Sequence, residues 1–386
     1  MEFSLNDEQR ALQAAARDFA RHELAPYAAQ WDADSEFPRQ TIAKAGELGF
    51  CGLYTPEEFG GLGLSRLDSS VIFEELAAGC TSTTAFITIH NMATWMFATW
   101  GQEEVARRWV PRLAAGELLA SYCLTEPGAG SDAASLKTRA EKHGDRYVLN
   151  GTKVFISGAG STDWLVVMAR TGAEGARGIS AFAVPADSPG ISYGKKEHKM
   201  GWNSQPTRMI SFDRVEVPEQ NRIGAEGQGF AIAMKGLDGG RINIATCSIG
   251  TAQAALDRAQ GYIHERKQFG SPIAQFQALQ FMLADMLTEL VAARQMVRLG
   301  AWKLDTGSAD ATTYCAMAKR YATDAGFKVA NEALQLHGGY GYMKEFPLER
   351  HLRDNRVHQI LEGTNEIMRV IVARAILREG ATEELR

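Results

Sequence analysis

The spacing of apolar residues changes twice along this chain, and those two changes limit the architectures open to it. Up to about residue 118 the apolar positions recur at helical intervals. Between about 119 and 225 they alternate as in strands, and from about 226 the helical spacing returns. Segregated blocks of this kind predict an α+β multidomain protein: a helical domain over 1–118, an antiparallel β-sheet or small β-barrel domain over 119–225, and a helical bundle over 226–386. Asn6 followed by Gln9 predicts a capping box, after which Leu12, Ala15, Ala16, Phe19 and Ala20 share one helical face. Further helices are predicted over 66–79 and 102–115, with Pro38 and the glycine-rich 57–65 as breaks. In the middle block, "RYVLNGTKVFIS" (146–157) predicts two strands joined by an Asn150–Gly151 hairpin. Strands are also predicted over 163–169, 178–186 and 207–218. The apolar spacing over 276–302 and 314–336 predicts two long helices, and a last helix runs over 365–379.

Composition excludes several function classes. A net charge of −5 gives no basic field to attract nucleic acid or an acidic membrane. No run of about 18 apolar residues exists to span a bilayer. The five cysteines are scattered, with no C-x-x-C, which predicts reduced thiols rather than a disulfide framework. The eight histidines form no metal-binding motif, and no metal site is expected. "MEFSLNDEQRALQ" carries neither an apolar signal core nor an Arg/Ser-rich transit segment. The expected compartment is the bacterial cytoplasm, or the mitochondrial matrix for a eukaryotic chain.

Five stretches can carry chemistry. "SYCLTEPGAGSD" (121–132) is glycine-rich and offers backbone N–H groups with the Thr125 and Ser131 hydroxyls; it is either a loop that approaches a planar ring or phosphate, or a plain turn. In "FISGAGSTDW" (155–164), Phe155 and Ser157 alternate with Ile156 and can line a ring system, or belong to an ordinary half-buried strand. Gly158-x-Gly160 lacks a third glycine and a following helix, so it is no dinucleotide fingerprint. "ERKQFGSPI" (265–273) places Arg266 where it can reach a phosphate or simply cap a helix. Gly338, Gly339 and Gly341 exceed what a helix cap requires, while His337 reads as structural. Finally, Glu362 lies among Ile360, Leu361 and Ile367. Desolvation there raises a carboxyl pKa toward neutrality, which suits a general base; the alternative is a solvated charge near the helix that Thr364 caps.

Taken together, "CLTEPGAGSD", the Q-x-x-G-G-x-G-Y-x-x-E run beginning at Gln335, "ERKQFG" and "LEGTNEIMR" resemble the acyl-CoA dehydrogenase family, and the resemblance runs essentially end to end. "CTSTTAFITIHNM" (80–92), "GWNSQPTR" (201–208), "GLDGGRINIA" (236–245) and "HQILEGTNE" (358–366) resemble its isobutyryl-CoA subgroup. The resemblance implies that family's fold, with a C-terminal four-helix bundle, and FAD as cofactor. It implies Glu362 as the base, with Arg241 orienting it. Gly240 stands where the isovaleryl type carries its base.

The same resemblance implies cofactor contacts from Tyr122, Leu124, Thr125, Ser131, Phe155, Ile156 and Ser157 on the flavin side. Arg266, Phe269, Phe276, Gln277, Gln335, Leu336, Gly338 and Gly339 match its adenine–pyrophosphate end, and Thr364 and Glu366 complete the pocket. In the family the adenine-end groups come from a neighbouring subunit, so FAD lies at a dimer interface within a homotetramer. Ser131, Asp238, Arg241, Leu361, Gly363 and Arg374 match acyl-CoA contacts. Electron-transferring flavoprotein is the implied acceptor. The implied reaction is α,β-dehydrogenation of a short branched acyl-CoA in valine breakdown. The alternatives are a butyryl-type enzyme, an acyl-CoA oxidase, or a non-catalytic flavin-binding relative.

Overall fold

The computed structural model describes residues 4–379; the outermost parts of the first and last expected domains, 1–3 and 380–386, lie outside it. The chain runs helix, sheet, helix. The first block holds α1 (Asp7–Phe19), α2 (Ala28–Asp34), α3 (Arg39–Glu47), α4 (Arg66–Gly79), α5 (Thr81–Trp100) and α6 (Glu103–Ala114). The capping box forms as expected: Asn6 accepts from the Gln9 backbone while the Gln9 side chain accepts from the Asn6 backbone. Helix α5 had no periodic signature. It is buried around most of its circumference, so there is no polar stripe for periodicity to reveal.

The middle block holds β1 (Ala120–Cys123), β2 (Arg139–His143), β3 (Arg146–Ser157), β4 (Trp164–Arg170), β5 (Ile179–Pro185), β6 (Ile191–Tyr193), β7 (Thr207–Pro218) and β8 (Arg222–Ile223). The sheet order is β6-β7-β3-β2-β4-β5-β8, with β1 beside β4. It is mixed rather than antiparallel, because β1 and β2 both meet β4 in parallel. The Asn150–Gly151 hairpin does not form. β3 is continuous through it, and the reversal falls one strand end earlier, between His143 and Arg146. Thr138 explains the glycine: a Cβ on Gly151 would stand 2.5 Å from the Thr138 hydroxyl, so the residue serves a bulge and a close approach rather than a turn.

The last block holds α7 (Gly229–Glu265), α8 (Gln277–Asp305), α9 (Ala311–Leu336), α10 (Leu348–Arg356) and α11 (Asn365–Glu379). Ile242, Ala245, Ile249, Leu290, Val297, Ala318, Ala322 and Val329 form the interior shared by α7, α8 and α9. A second interior joins Met92, Met96 and Phe97 of α5 to Trp164, Val166 and Met168 of β4 and to Ile232 of α7. Helix α7 therefore borders the sheet and the helical bundle at once, and the turn before α11 is brought against it.

Candidate functional site

That turn places Glu362 at the centre. Thr364 accepts from the Ile367 backbone N–H at 3.3 Å and caps α11 as expected. Glu362 and Gly363 both take left-handed backbone conformations, with φ of 55° and 89°. The reversal aims the Glu362 side chain at α7, where a Cβ on Gly240 would stand 2.4 Å from Oε2. Gly240 thus makes room for the carboxylate. Oε2 is sealed from solvent and has no hydrogen-bond partner. Burial pushes the Glu362 carboxyl up to about 7, with the nearby Arg241 and Lys319 cations pulling partly the other way.

Two further buried polar atoms near Glu362 lack partners: Nε of Arg241 and the hydroxyl of Tyr122. Arg241 is 5% exposed and donates through Nη1 to Asp238 at 2.5 Å; Asp238 also accepts from Thr312 at 2.7 Å. The Tyr122 hydroxyl is held well above its ordinary range by burial, and then by the Glu362 charge. Buried polar groups are normally satisfied, so three orphans in one place mark a site shaped for a polar ligand. Leu361, next to the carboxylate, packs with Tyr122 against Ala85, Ile89, Trp202 and Ile244.

The glycine-rich loop after β1 is fixed from beneath. Lys153 on β3 is fully buried and donates to the Leu124 carbonyl at 3.0 Å and to Glu126 at 2.8 Å. Glu126 also accepts from the Lys137 and Thr138 backbones. The Val154 N–H donates to Thr125, tying the loop edge to β3. Gly128 and Gly130 face open space, where an added Cβ would touch nothing within 4 Å; Ser131 is exposed beside them. Phe155 sits at a bulge with φ of 58° and is 70% exposed, Ser157 is half-buried, and Ile156 turns into the sheet core. The bulge breaks the alternation that placed Phe155 and Ser157 on one face.

A separate surface pocket collects five of the other expected cofactor residues. Arg266, Gln335, Leu336, Gly338 and Gly339 line it with Tyr262, His337 and Tyr340. Gly338 and Gly339 again present bare backbone to open space. His337 accepts its structural reading: Nδ1 donates to the Ala333 carbonyl at 2.8 Å and the ring stacks on Tyr262 at 4.2 Å. Its Nε2 is buried without a partner. Phe269 stands at the tip of a two-strand turn, 94% exposed and 6.0 Å from the Phe276 ring; Gln277 opens α8. Glu366 is exposed on α11's first turn, and Arg374 is exposed farther along that helix.

Sequence reasoning passed over Lys319, which is fully buried on α9 and donates to the Gly363 carbonyl at 2.7 Å. The signal was present: Lys319 lies four residues after Cys315 and three before Ala322, on the stripe that α9 buries. Trp202 and Tyr54, buried near the same turn, were also passed over.

Known proteins share this fold along the length of the chain. Family models match residues 6–117 (acyl-CoA dehydrogenase, N-terminal domain), 121–215 (middle domain) and 227–377 (C-terminal domain). The mitochondrial isobutyryl-CoA dehydrogenase of Bos taurus is 55% identical over 375 residues, covering 97% of this chain and 90% of that protein. The mitochondrial isobutyryl-CoA dehydrogenase of Dictyostelium discoideum is 52% identical over 376 residues, with the same coverage of 97% and 90%. The solved butyryl-CoA dehydrogenase of Megasphaera elsdenii superposes with a TM-score of 0.95 at 39% identity, covering 98% of this chain and all of that one. With all three domains matched and relatives above half identical along its length, the chain belongs to the acyl-CoA dehydrogenase family.

Proposed function

We propose that this protein is an FAD-dependent dehydrogenase of short, branched acyl-CoA thioesters, with isobutyryl-CoA as preferred substrate and methacrylyl-CoA as product. The observation that carries the reading is the unpartnered, buried Oε2 of Glu362, whose carboxyl is raised to about 7. A base near the working pH combines availability with proton affinity. Glu362 takes the α-proton. The Glu362 backbone N–H polarises the thioester carbonyl, so that charge developing on oxygen is stabilised. Arg241 holds the carboxylate's orientation through its fixed pairing with Asp238. Tyr122 and Leu361 exclude water from the reacting carbons.

The family is flavin-dependent, and the residues here fit that cofactor. Bare glycine backbone faces open space both at 128–130 and at 338–339, and the second pocket holds the orphaned Nε2 of His337. Thr125, Ser131, Phe155 and Ser157 would hold the flavin end; Arg266, Gln335 and Gly338–Gly339 would hold the adenine–pyrophosphate end. A flavin held by these residues would supply the acceptor for the β-hydrogen, which leaves as hydride. The exposed Phe155 and Phe269 support a second subunit completing the cofactor site, as part of a homotetramer. Electron-transferring flavoprotein is the proposed acceptor. The product fits valine breakdown. Domain limits at 118/119 and 225/226 belong to the same proposal.

Anaerobic flavin bleaching with straight and branched acyl-CoAs tests the reading. Isobutyryl-CoA is expected to reduce the flavin fastest. Glu362→Gln is expected to lower the rate by about a thousandfold or more, since it removes a positioned base from a proton transfer. Undiminished turnover by that variant would sink the assignment. A preference for butyryl-CoA would favour the straight-chain alternative, which the likeness to butyryl-CoA dehydrogenase supports. Peroxide formation without an added acceptor would indicate an oxidase.

A further inference from the structure

We propose that Lys319 is a positioning residue for Glu362: its buried side chain pins the left-handed turn that presents the base and supplies the cation facing the carboxylate from α9. The proposal rests on the reading of Glu362 as the base.

Lys319 is fully buried, and its Nζ donates to the Gly363 carbonyl at 2.7 Å and to Oδ1 of Asn365 at 2.9 Å. Asn365 is itself anchored on α9, donating to Thr323 at 3.0 Å and Asp324 at 2.8 Å. The turn is therefore tied to α9 on both sides of Thr364. It needs tying. Glu362 is not glycine yet adopts φ of 55°, a conformation that costs a side-chain-bearing residue on the order of 1 kcal/mol and persists only where surroundings enforce it.

The charge is a second, separable matter. Both atoms that Lys319 touches are neutral oxygens, and among the described residues no carboxylate lies within ion-pair distance of it. An ammonium buried without a paired carboxylate is expensive. The charged and titratable groups facing it are Glu362 in the turn, Arg241 on α7, Asp324 on α9 itself, Glu366 on α11 and His358 before the turn. Burial pulls Lys319 down to about 7, with Glu362 the foremost group holding it up. His358 adds no charge, because burial and then Lys319 push it down to about 3; its Nε2 accepts from the Trp202 indole N–H at 3.2 Å. The Lys319 cation and the Glu362 anion therefore stabilise one another across the turn. A neutral side chain at 319 leaves Arg241 as the remaining cation near the base.

The test is the pH dependence of kcat/KM for isobutyryl-CoA in the flavin-loaded wild type, Lys319→Gln and Lys319→Met. Loss of a cation near a carboxylate raises its pKa by about one unit or more, so the acid limb is expected to move to higher pH by that amount in both variants. Lys319→Gln keeps a donor for Gly363 and is expected to retain more of the plateau rate than Lys319→Met. Lys319→Arg, which keeps the charge, is expected to leave the limb in place. A folded neutral variant whose limb coincides with the wild type overturns the proposal. So does failure of both neutral variants to fold, which would make the lysine purely architectural. Glu362→Gln is measured alongside. If it retains turnover, the base assignment itself falls; if it is inactive while the limb of Lys319→Gln is unmoved, only the role of Lys319 falls.

Discussion

At Gly240 a single added methyl group would stand 2.4 Å from Oε2 of Glu362 and 3.3 Å from the Met92 sulfur. In an ordinary helix, alanine in place of glycine is favourable by about 1 kcal/mol. Here the clash is relieved by swinging the end of the Glu362 side chain, which costs little stability and displaces the base. Gly240→Ala is therefore expected to retain its melting temperature within a few degrees while losing tenfold or more in kcat/KM, because a displacement of about 1 Å at a reacting group can cost a hundredfold. Equal activity in a folded variant would mean that the carboxylate works from another position. Leu361 raises a question of shape at the same place. It packs with Tyr122 against Ala85, Ile89, Trp202 and Ile244, leaving branched aliphatic bulk beside the base rather than a ring. Leu361→Tyr is expected to lower kcat/KM for isobutyryl-CoA more than for butyryl-CoA, by about 1–3 kcal/mol of discrimination for one methyl group. Equal losses on the two thioesters would remove Leu361 as the source of selectivity.

The loop from Leu124 to Ser131 owes its shape to a side chain that never reaches the surface. Lys153 of β3 is sealed beneath it and holds both the Leu124 carbonyl and Glu126. Burial alone would raise the Glu126 carboxyl, but the Lys153 ammonium and the Thr138 and Lys137 donors more than offset this, leaving it below its ordinary value. Its contribution to stability is therefore present at neutral pH and lost as the pH falls through that lowered value. Lys153→Met strands a buried carboxylate. It is expected to cost about 3–5 kcal/mol by denaturant unfolding and to weaken FAD binding, read by flavin release on dilution; unchanged values for both would mean that the loop holds itself. The glycines and hydroxyls of this loop were legible in the sequence, as were the apolar neighbours of Glu362, because they are local. Lys153 and Lys319 were not singled out, because a lysine counts as solvent-facing until the element it faces has docked. The expected turn at Asn150–Gly151 failed for a related reason: the local dipeptide preference yielded to Thr138 on the neighbouring strand. Helix α5, buried nearly all round with most of its threonines, His90 and Asn91 inside as well, offered no period to read.

Over the whole molecule, the segment 200–203 is a second place, besides the interior of α5, β4 and α7, where the helical blocks and the sheet meet. A Cβ on Gly201 would stand 2.6 Å from the Arg353 backbone on α10. Arg353 donates to Asp32 on α2 at 2.6 Å, to Glu349 at 2.5 Å and to the Met200 carbonyl at 3.0 Å, and Asn203 donates to Asp32 at 3.0 Å. Beside this junction Asp354 is 2% exposed and accepts the Trp202 backbone N–H at 2.6 Å. Burial pushes the Asp354 carboxyl up to about 7, against the Trp202 donor. The folded protein therefore holds a proton there that the unfolded chain releases near pH 4. Linkage fixes the sign: for a carboxyl whose folded pKa is raised, the stabilising contribution is complete below about pH 4 and lost as the pH climbs to about 7. Asp354→Asn keeps an acceptor for Trp202 and removes the ionisation. Relative to the wild type it is expected to gain about 1–3 kcal/mol between pH 5 and pH 8, given about 1.4 kcal/mol per unit of pKa difference. Urea unfolding of the two proteins at both pH values measures this. Parallel changes in the two would mean that Asp354 is already ionised in the folded protein, held so by Arg350 and Arg353, and that the junction of the three blocks is tied by ion pairs throughout rather than by a neutral acid at its centre.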